Sequence, residues 1–146
     1  MYIISTSIEI AAPPAVVRDK FLEFSAIPSY SPHGFIRAIT PPGDKLQCSL
    51  GYGKMNFSPV VTTNEPACFS WTGSVPGVFV GEHRFGFEAG PDPARTRLVH
   101  EERFTGLLAF LMGEGLVARS ADMRASTQQG FEDFNRLFRA WVEREV

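Results

Sequence analysis

The sequence predicts an α+β fold in which an antiparallel sheet is laid against one long C-terminal helix. Three observations carry this. From Leu116 to about Val142, Leu116, Ser120, Met123, Thr127, Phe131, Phe134, Phe138 and Trp141 fall on one side at a 3.6-residue period, and Arg119, Asp122, Ser126, Gln129, Asp133, Arg136 and Glu143 recur on the other. Between residues 35 and 104 six strand-like stretches follow one another, separated by turn formers. One further strand and one or two short helices precede them. Successive strands closed by a terminal helix give a helix-on-sheet arrangement.

The first strand is marked by Tyr2, Ile4, Thr6, Ile8 and Ile10 alternating with Ile3, Ser5, Ser7 and Glu9. Ala11-Ala12-Pro13-Pro14 stops it and opens a helix over residues 14 to 24, whose inward stripe is Val17, Phe21 and Phe24. Pro28 and Pro32 bracket a short helical turn or loop at Ser29-Tyr30-Ser31. The strands are expected at 35–40, 45–51, 54–63, 67–74, 79–89 and 95–104, with turns at Pro41 to Asp44, Gly51 to Gly53, Asn64-Glu65-Pro66, Pro76-Gly77 and Gly90 to Pro93. Each hairpin neighbour can pair directly, so the sheet reads as a meander closed up by the first strand. Residues 107 to 112 read as one or two helical turns, and Gly113-Glu114-Gly115 bends the chain into the long helix. That helix would run roughly 40 Å. Its far half is densely aromatic, a plug on the core. Its near half is sparse and small, the roof of a space. Gly130 inside it costs about 1 kcal/mol against Ala and marks close approach by another part of the chain.

A length of 146 residues suits one domain, residues 1–146. Charged residues make up 21% of the chain and nearly cancel, net −2, which gives no basic footprint for nucleic acid. No stretch is long and apolar enough for a membrane span, and the first residues lack the build of a signal peptide. Cys48 and Cys68 fall in strands flanking a common neighbour, roughly 9–10 Å apart. A disulfide needs Cα atoms within about 7 Å, so free thiols and a cytoplasmic location are expected. No Cys/His spacing suggests a metal and no Gly-rich loop a phosphate cradle, so no cofactor is expected. Phe supplies 13 of the 18 aromatic residues, enough flat apolar surface to line a pocket as well as fill a core.

The last two strands fix their own register. Pairing residues whose numbers sum to 185 sets Glu82 opposite Arg103, Arg84 opposite Glu101 and Glu88 opposite Arg97 on the outer face. Three opposite-charge pairs arise together, and a one-residue slip would mix charged and apolar faces. The inner face then carries His83 opposite Glu102, Phe85 opposite His100, and Phe87 opposite Leu98.

This order of elements, with Ile8-Glu9-Ile10-Ala11-Ala12-Pro13-Pro14-Ala15-Val16-Val17 at its start, resembles the START-like or Bet v 1-like superfamily (SRPBCC). Gly81-Glu82-His83-Arg84-Phe85 and the run from Thr96 to Leu108 resemble its polyketide cyclase/dehydrase-like branch. The likeness covers nearly the whole chain, with Tyr30-Ser31-Pro32 standing where the family often has Trp-x-Pro. It implies a helix-grip fold, a bent seven-stranded antiparallel sheet wrapped round the C-terminal helix and enclosing an apolar cavity. Relatives include lipid and steroid carriers, hormone receptors, aromatic cyclases, quinone-binding proteins and chaperone activators, so the fold leaves function open.

The candidate site follows from both lines. His83 and Glu102 could act as general acid and base, or be a buried polar pair that satisfies itself. Tyr30, Phe57, Trp71, Phe85, Phe87, His100, Phe104, Phe110, Met123, Thr127 and Phe131 are candidate ligand contacts, each otherwise a core or loop residue. Tyr30 and His33 stand near the expected mouth. The leading expectation is a monomer or homodimer that binds a small hydrophobic molecule (lipid, isoprenoid, polyketide or aromatic). The alternative is a cofactor-independent cyclase, dehydratase or isomerase using His83 and Glu102.

Overall fold

The structure is a computed structural model describing residues 2–40, 45–50, 55–75, 79–105 and 118–145; for residues 50, 55–57, 75, 79 and 118–123 only the backbone is described. The expected turns at 41–44, 51–53 and 76–77, the helical turns at 107–112 and Phe110 lie outside these residues, as do the side chains of Phe57 and Met123.

Strand β1 (Tyr2–Ile10) turns Ile4, Thr6 and Ile10 inward and leaves Ile3 exposed, the period-2 pattern of a half-buried strand. Helix α1 (Pro14–Phe21) starts with proline at its first position and buries Val17 and Phe21. A proline there gives up an N–H that has no helical partner in any case. The helix expected to reach residue 24 ends at Phe21, and a separate 3-10 turn, Phe24–Ala26, leads into the short α2 (Ile27–Tyr30).

The strands are β2 (Ala38–Thr40), β3 (Gln47–Leu50), β4 (Met55–Phe57), β5 (Val60–Glu65), β6 (Cys68–Val75), β7 (Phe79–Ala89) and β8 (Thr96–Thr105). They form a five-stranded antiparallel sheet, β1-β8-β7-β6-β5, and a three-stranded one, β2-β3-β4. The strand expected over 54–63 is thus two strands, broken at Ser58-Pro59, and the seven expected strands appear as eight in two sheets. Pro59 has no N–H to give a ladder, which is why the pairing stops there. The two sheets still touch at that break, through a Lys45–Val60 bridge and a Leu46 N–H to Pro59 carbonyl bond of 2.9 Å. Cys48 and Cys68 are buried free thiols, and burial pushes the Cys48 thiol up to about 12.

The β7–β8 register sums to 185 at every pair, from Val80–Thr105 to Ala89–Thr96. On the outer face Arg97 meets Glu88 at 3.2 Å and Arg84 meets Glu101 at 4.0 Å, whereas Arg103 turns from Glu82 to Glu101 on its own strand, at 3.1 Å. β1 completes the sheet against the whole of β8, with Ile4 beside Glu102 and Thr6 beside His100.

Helix α3 (Ala118–Glu145) crosses the inner face. Phe131, Phe134, Phe138 and Val142 are fully buried. They meet an aromatic core centred on Phe21, whose ring lies 4.3 Å from Phe85 and edge-on to Phe138 at 5.9 Å. Each such ring removed from water contributes about 1.5–3 kcal/mol. Gly130 is the point of close approach: a Cβ built there would fall 2.2 Å from the Phe35 ring. Between Arg124 and Gln129, by contrast, no side chain is buried.

Candidate functional site

Five polar side chains on three strands and the helix form one chain across the interior. Glu102 Oε2 lies 3.6 Å from His83 Nδ1. The two imidazoles meet through their Nε2 atoms at 2.5 Å. His100 Nδ1 is 2.8 Å from Asn135 Oδ1 on α3. Asn135 Nδ2 donates to Thr6 Oγ1 at 2.9 Å, and the Thr6 hydroxyl donates to the His100 carbonyl at 2.9 Å. His83 and His100 are 0% exposed and Asn135 1%. Local folding explains the convergence. Strand parity turns His83, His100, Glu102 and Thr6 to one face, and Asn135 stands four residues beyond Phe131 on the helix stripe that faces them.

Aromatic rings wall the chain. The Trp71 indole stacks on His83 at 4.8 Å, Phe85 on His100 at 4.4 Å, and Phe131 on His100 at 4.1 Å. This dry surrounding decides the protonation of the imidazoles, because burial disfavours charge. Burial, reinforced by the neighbouring His100, holds His83 well below the ordinary imidazole value. Burial takes His100 down to about 3, against the opposing hydrogen bonds to Asn135 and the Phe131 backbone. Both rings are neutral at neutral pH.

Glu102 is the end of the chain that reaches solvent, with 19% of its side chain exposed. Burial pushes its carboxyl up to about 8; the exposed part works against that rise, and the net direction is upward. Its Oε1 lies over Gly81, where a Cβ would come within 2.7 Å. Only glycine leaves room for the carboxyl at that point. α3 reaches the Ile3 carbonyl through Arg124, at 3.4 Å, and Thr6 through Asn135. Glu102 is paired with Ile4, which lies on β1 between these two contacts.

Of the sequence candidates, His83, Glu102, Trp71, Phe85, His100 and Phe131 are brought together around this chain. Phe104 is buried and pairs with Gly81, and Thr127 is partly exposed. Tyr30 lies elsewhere. It stacks on Trp141 at 4.8 Å, at the aromatic end of α3, and burial pushes its hydroxyl well above the ordinary value. Phe87 belongs to the Phe21 cluster, 5.7 Å between ring centres, and His33 is exposed. Thr6, Gly81 and Asn135 also belong to this cluster and were not among the sequence candidates. Asn135 had a signal, its spacing of four from Phe131 and three from Phe138.

A separate open groove of about 390 Å³ lies between α1 and the turn before β6, lined by Pro14, Ala15, Arg18, Asp19, Pro66, Ala67 and Phe87. It holds none of the buried polar chain, and Arg18 there is engaged with the Glu65 carbonyl and Asn64. Among the described residues no group of His, Cys, Asp and Glu is arranged to hold a metal ion, and no helix is long and apolar enough to cross a membrane.

No family model and no curated protein matches this sequence. Solved structures do. A START superfamily protein from Mycobacterium smegmatis superposes with a TM-score of 0.74 at 15% identity, covering 100% of both chains. The fold is START-like. The Zhui aromatase/cyclase from Streptomyces sp. R1128 matches with a TM-score of 0.66 at 17% identity, over 99% of this chain and 95% of its own. The di-domain aromatase/cyclase BexL of the BE-7585A biosynthetic pathway matches at 0.62 and 14% identity, over 97% of this chain but 48% of BexL. The START-like chain thus spans about half of BexL. What these structures share with this chain is the fold, an antiparallel sheet with α3 across one face.

Proposed function

We propose that this START-like chain binds a small hydrophobic molecule (lipid, isoprenoid, polyketide or aromatic) between the sheet and the N-terminal half of α3, with Glu102 as its polar anchor. One observation carries the reading: the buried polar chain, walled by aromatic rings, reaches solvent at Glu102. Burying two imidazoles, an amide and a hydroxyl costs free energy that apolar residues would not, and aromatic walls with a few placed polar groups suit a ligand site. The START and aromatase/cyclase neighbours support the same reading. Native mass spectrometry of the protein purified without denaturation tests it. A bound small molecule that organic extraction removes is the expected result; a bare chain that also takes up no aromatic ketone or fatty acid would count against it.

A second reading, a cofactor-independent cyclase, dehydratase or isomerase, is favoured by one feature. The Glu102 carboxyl, raised to about 8 and 3.6 Å from an imidazole, is tuned near neutrality as a general acid would be. In that case Glu102→Gln should lower turnover about 10²–10⁴-fold, with ligand affinity little changed. Unaltered turnover would remove Glu102 from the chemistry.

A further inference from the structure

We infer, building on the binding reading, that Asn135 is a positioning residue: it sets the direction of the buried hydrogen-bond chain so that Glu102 is held as a neutral acid, and the site takes uncharged ligands with a carbonyl or hydroxyl oxygen rather than ammonium ligands.

The direction follows from counting hydrogens. Thr6 has one hydroxyl hydrogen, committed to the His100 carbonyl at 2.9 Å. The Asn135 amide nitrogen must then be the donor to Thr6 Oγ1, which turns the amide oxygen to His100 Nδ1. A flipped amide would require Thr6 to donate twice. The amide oxygen can only accept, so His100 carries its hydrogen on Nδ1. A neutral imidazole has one N–H, so His100 Nε2 is an acceptor, and the hydrogen in the 2.5 Å contact belongs to His83 Nε2. His83 Nδ1 is left as a bare lone pair, buried and without a hydrogen-bond partner among the described residues.

That lone pair faces Glu102 Oε2 at 3.6 Å. An ionised carboxylate would set acceptor against acceptor in a dry site. A carboxylic acid carries no charge and can turn its hydrogen toward the lone pair, which removes the repulsion. The groups on the neighbouring strands, Ile4 on β1 and Gly81 on β7, carry no charge; from α3, the Arg124 guanidinium is engaged with the Ile3 carbonyl at 3.4 Å. A neutral acid can donate to a ligand carbonyl or exchange hydrogen bonds with a ligand hydroxyl. It gives an ammonium no counter-charge, and desolvating that cation would be uncompensated.

Heteronuclear NMR on isotope-labelled histidine, near pH 6.5, reads the two tautomers in the wild-type protein. The expected pattern is Nδ1–H for His100 and Nε2–H for His83; the reverse pair, or an imidazolium at either ring, would overturn the assignment. Asn135→Asp, whose carboxylate cannot donate to Thr6, should move His100 toward the imidazolium, a change that a purely packing role would not produce. If His100 keeps its wild-type tautomer in a folded Asn135→Asp variant, Asn135 does not position it. For the ligand class, acetonaphthone is titrated against the naphthylethylamine of the same skeleton, and the ketone should bind at least about tenfold more tightly. An amine that binds equally well would overturn the ligand class. Expected tautomers with neither probe bound would overturn the binding reading while leaving the role of Asn135 in place.

Discussion

Glu102 and the two histidines pull stability in opposite directions with pH. His83 and His100 lie below the ordinary imidazole value of 6.5 in the folded chain. Below 6.5 the unfolded chain takes up protons that the folded chain refuses, so stability is lost toward acid, down to about 3 for His100. Glu102 is raised from 4.5 to about 8. The folded chain keeps a proton that the unfolded chain releases, so this contribution is complete below 4.5 and is lost as pH rises through 8. Between 4.5 and 6.5 two imidazoles outweigh one carboxyl; above 6.5 the carboxyl remains. Thermal melting should therefore peak near pH 6.5, and Glu102→Gln should flatten the alkaline side and steepen the fall between 6.5 and 4.5, where the carboxyl no longer opposes the imidazoles. A melting temperature that climbs steadily past pH 8 would contradict the buried acid. Gly81→Ala probes the same carboxyl from below. The new methyl meets the end of a flexible side chain, 2.7 Å from Glu102 Oε1, so the cost in stability should stay within about 0.5 kcal/mol. Ligand binding should fall all the same, because the carboxyl is pushed off its seat. Equal loss of stability and binding would mean that Gly81 serves only the strand.

At the scale of the element, α3 shows what could and could not be read from the chain. Its aromatic half was legible because Phe131, Phe134 and Phe138 keep strict helical spacing. Asn135 was not legible as a site residue, since one amide between phenylalanines reads as an interruption until the strand residues facing it are known. The β7–β8 ladder was legible down to its register, because three charge pairs coincide in one alignment only. The break at Ser58-Pro59 was not, because apolar alternation runs straight across it while the missing N–H acts only once strands pair. Gly130 gave its message in advance as a close approach; its partner, Phe35, came only with the fold. Gly130→Ala should therefore destabilise the protein despite its better helix propensity. The clash with the Phe35 ring costs about 1–3 kcal/mol against about 1 kcal/mol gained. Chemical denaturation of Gly130→Ala, and of the same change combined with Phe35→Leu, checks this. The double variant should recover most of the loss, and a stabilised single variant would show that Phe35 yields freely.

For the whole molecule, the fold was legible and the ligand is not. The START-like neighbours share 11–17% of their residues with this chain and keep the sheet and gripping helix, so the architecture rests on pattern rather than on particular side chains. The polar chain runs from Thr6 to Glu102, where 19% of the side chain is exposed. At the far end of α3 the interior is filled by aromatic rings, Tyr30 stacked on Trp141. Amide NMR mapping of an acetonaphthone titration tests the account most directly. Saturable shifts should cluster at Gly81, Glu102 and Thr127 and weaken in Glu102→Leu. Shifts confined to the Pro14, Ala15 and Arg18 groove, or no saturable shift at Gly81, Glu102 or Thr127, would contradict it.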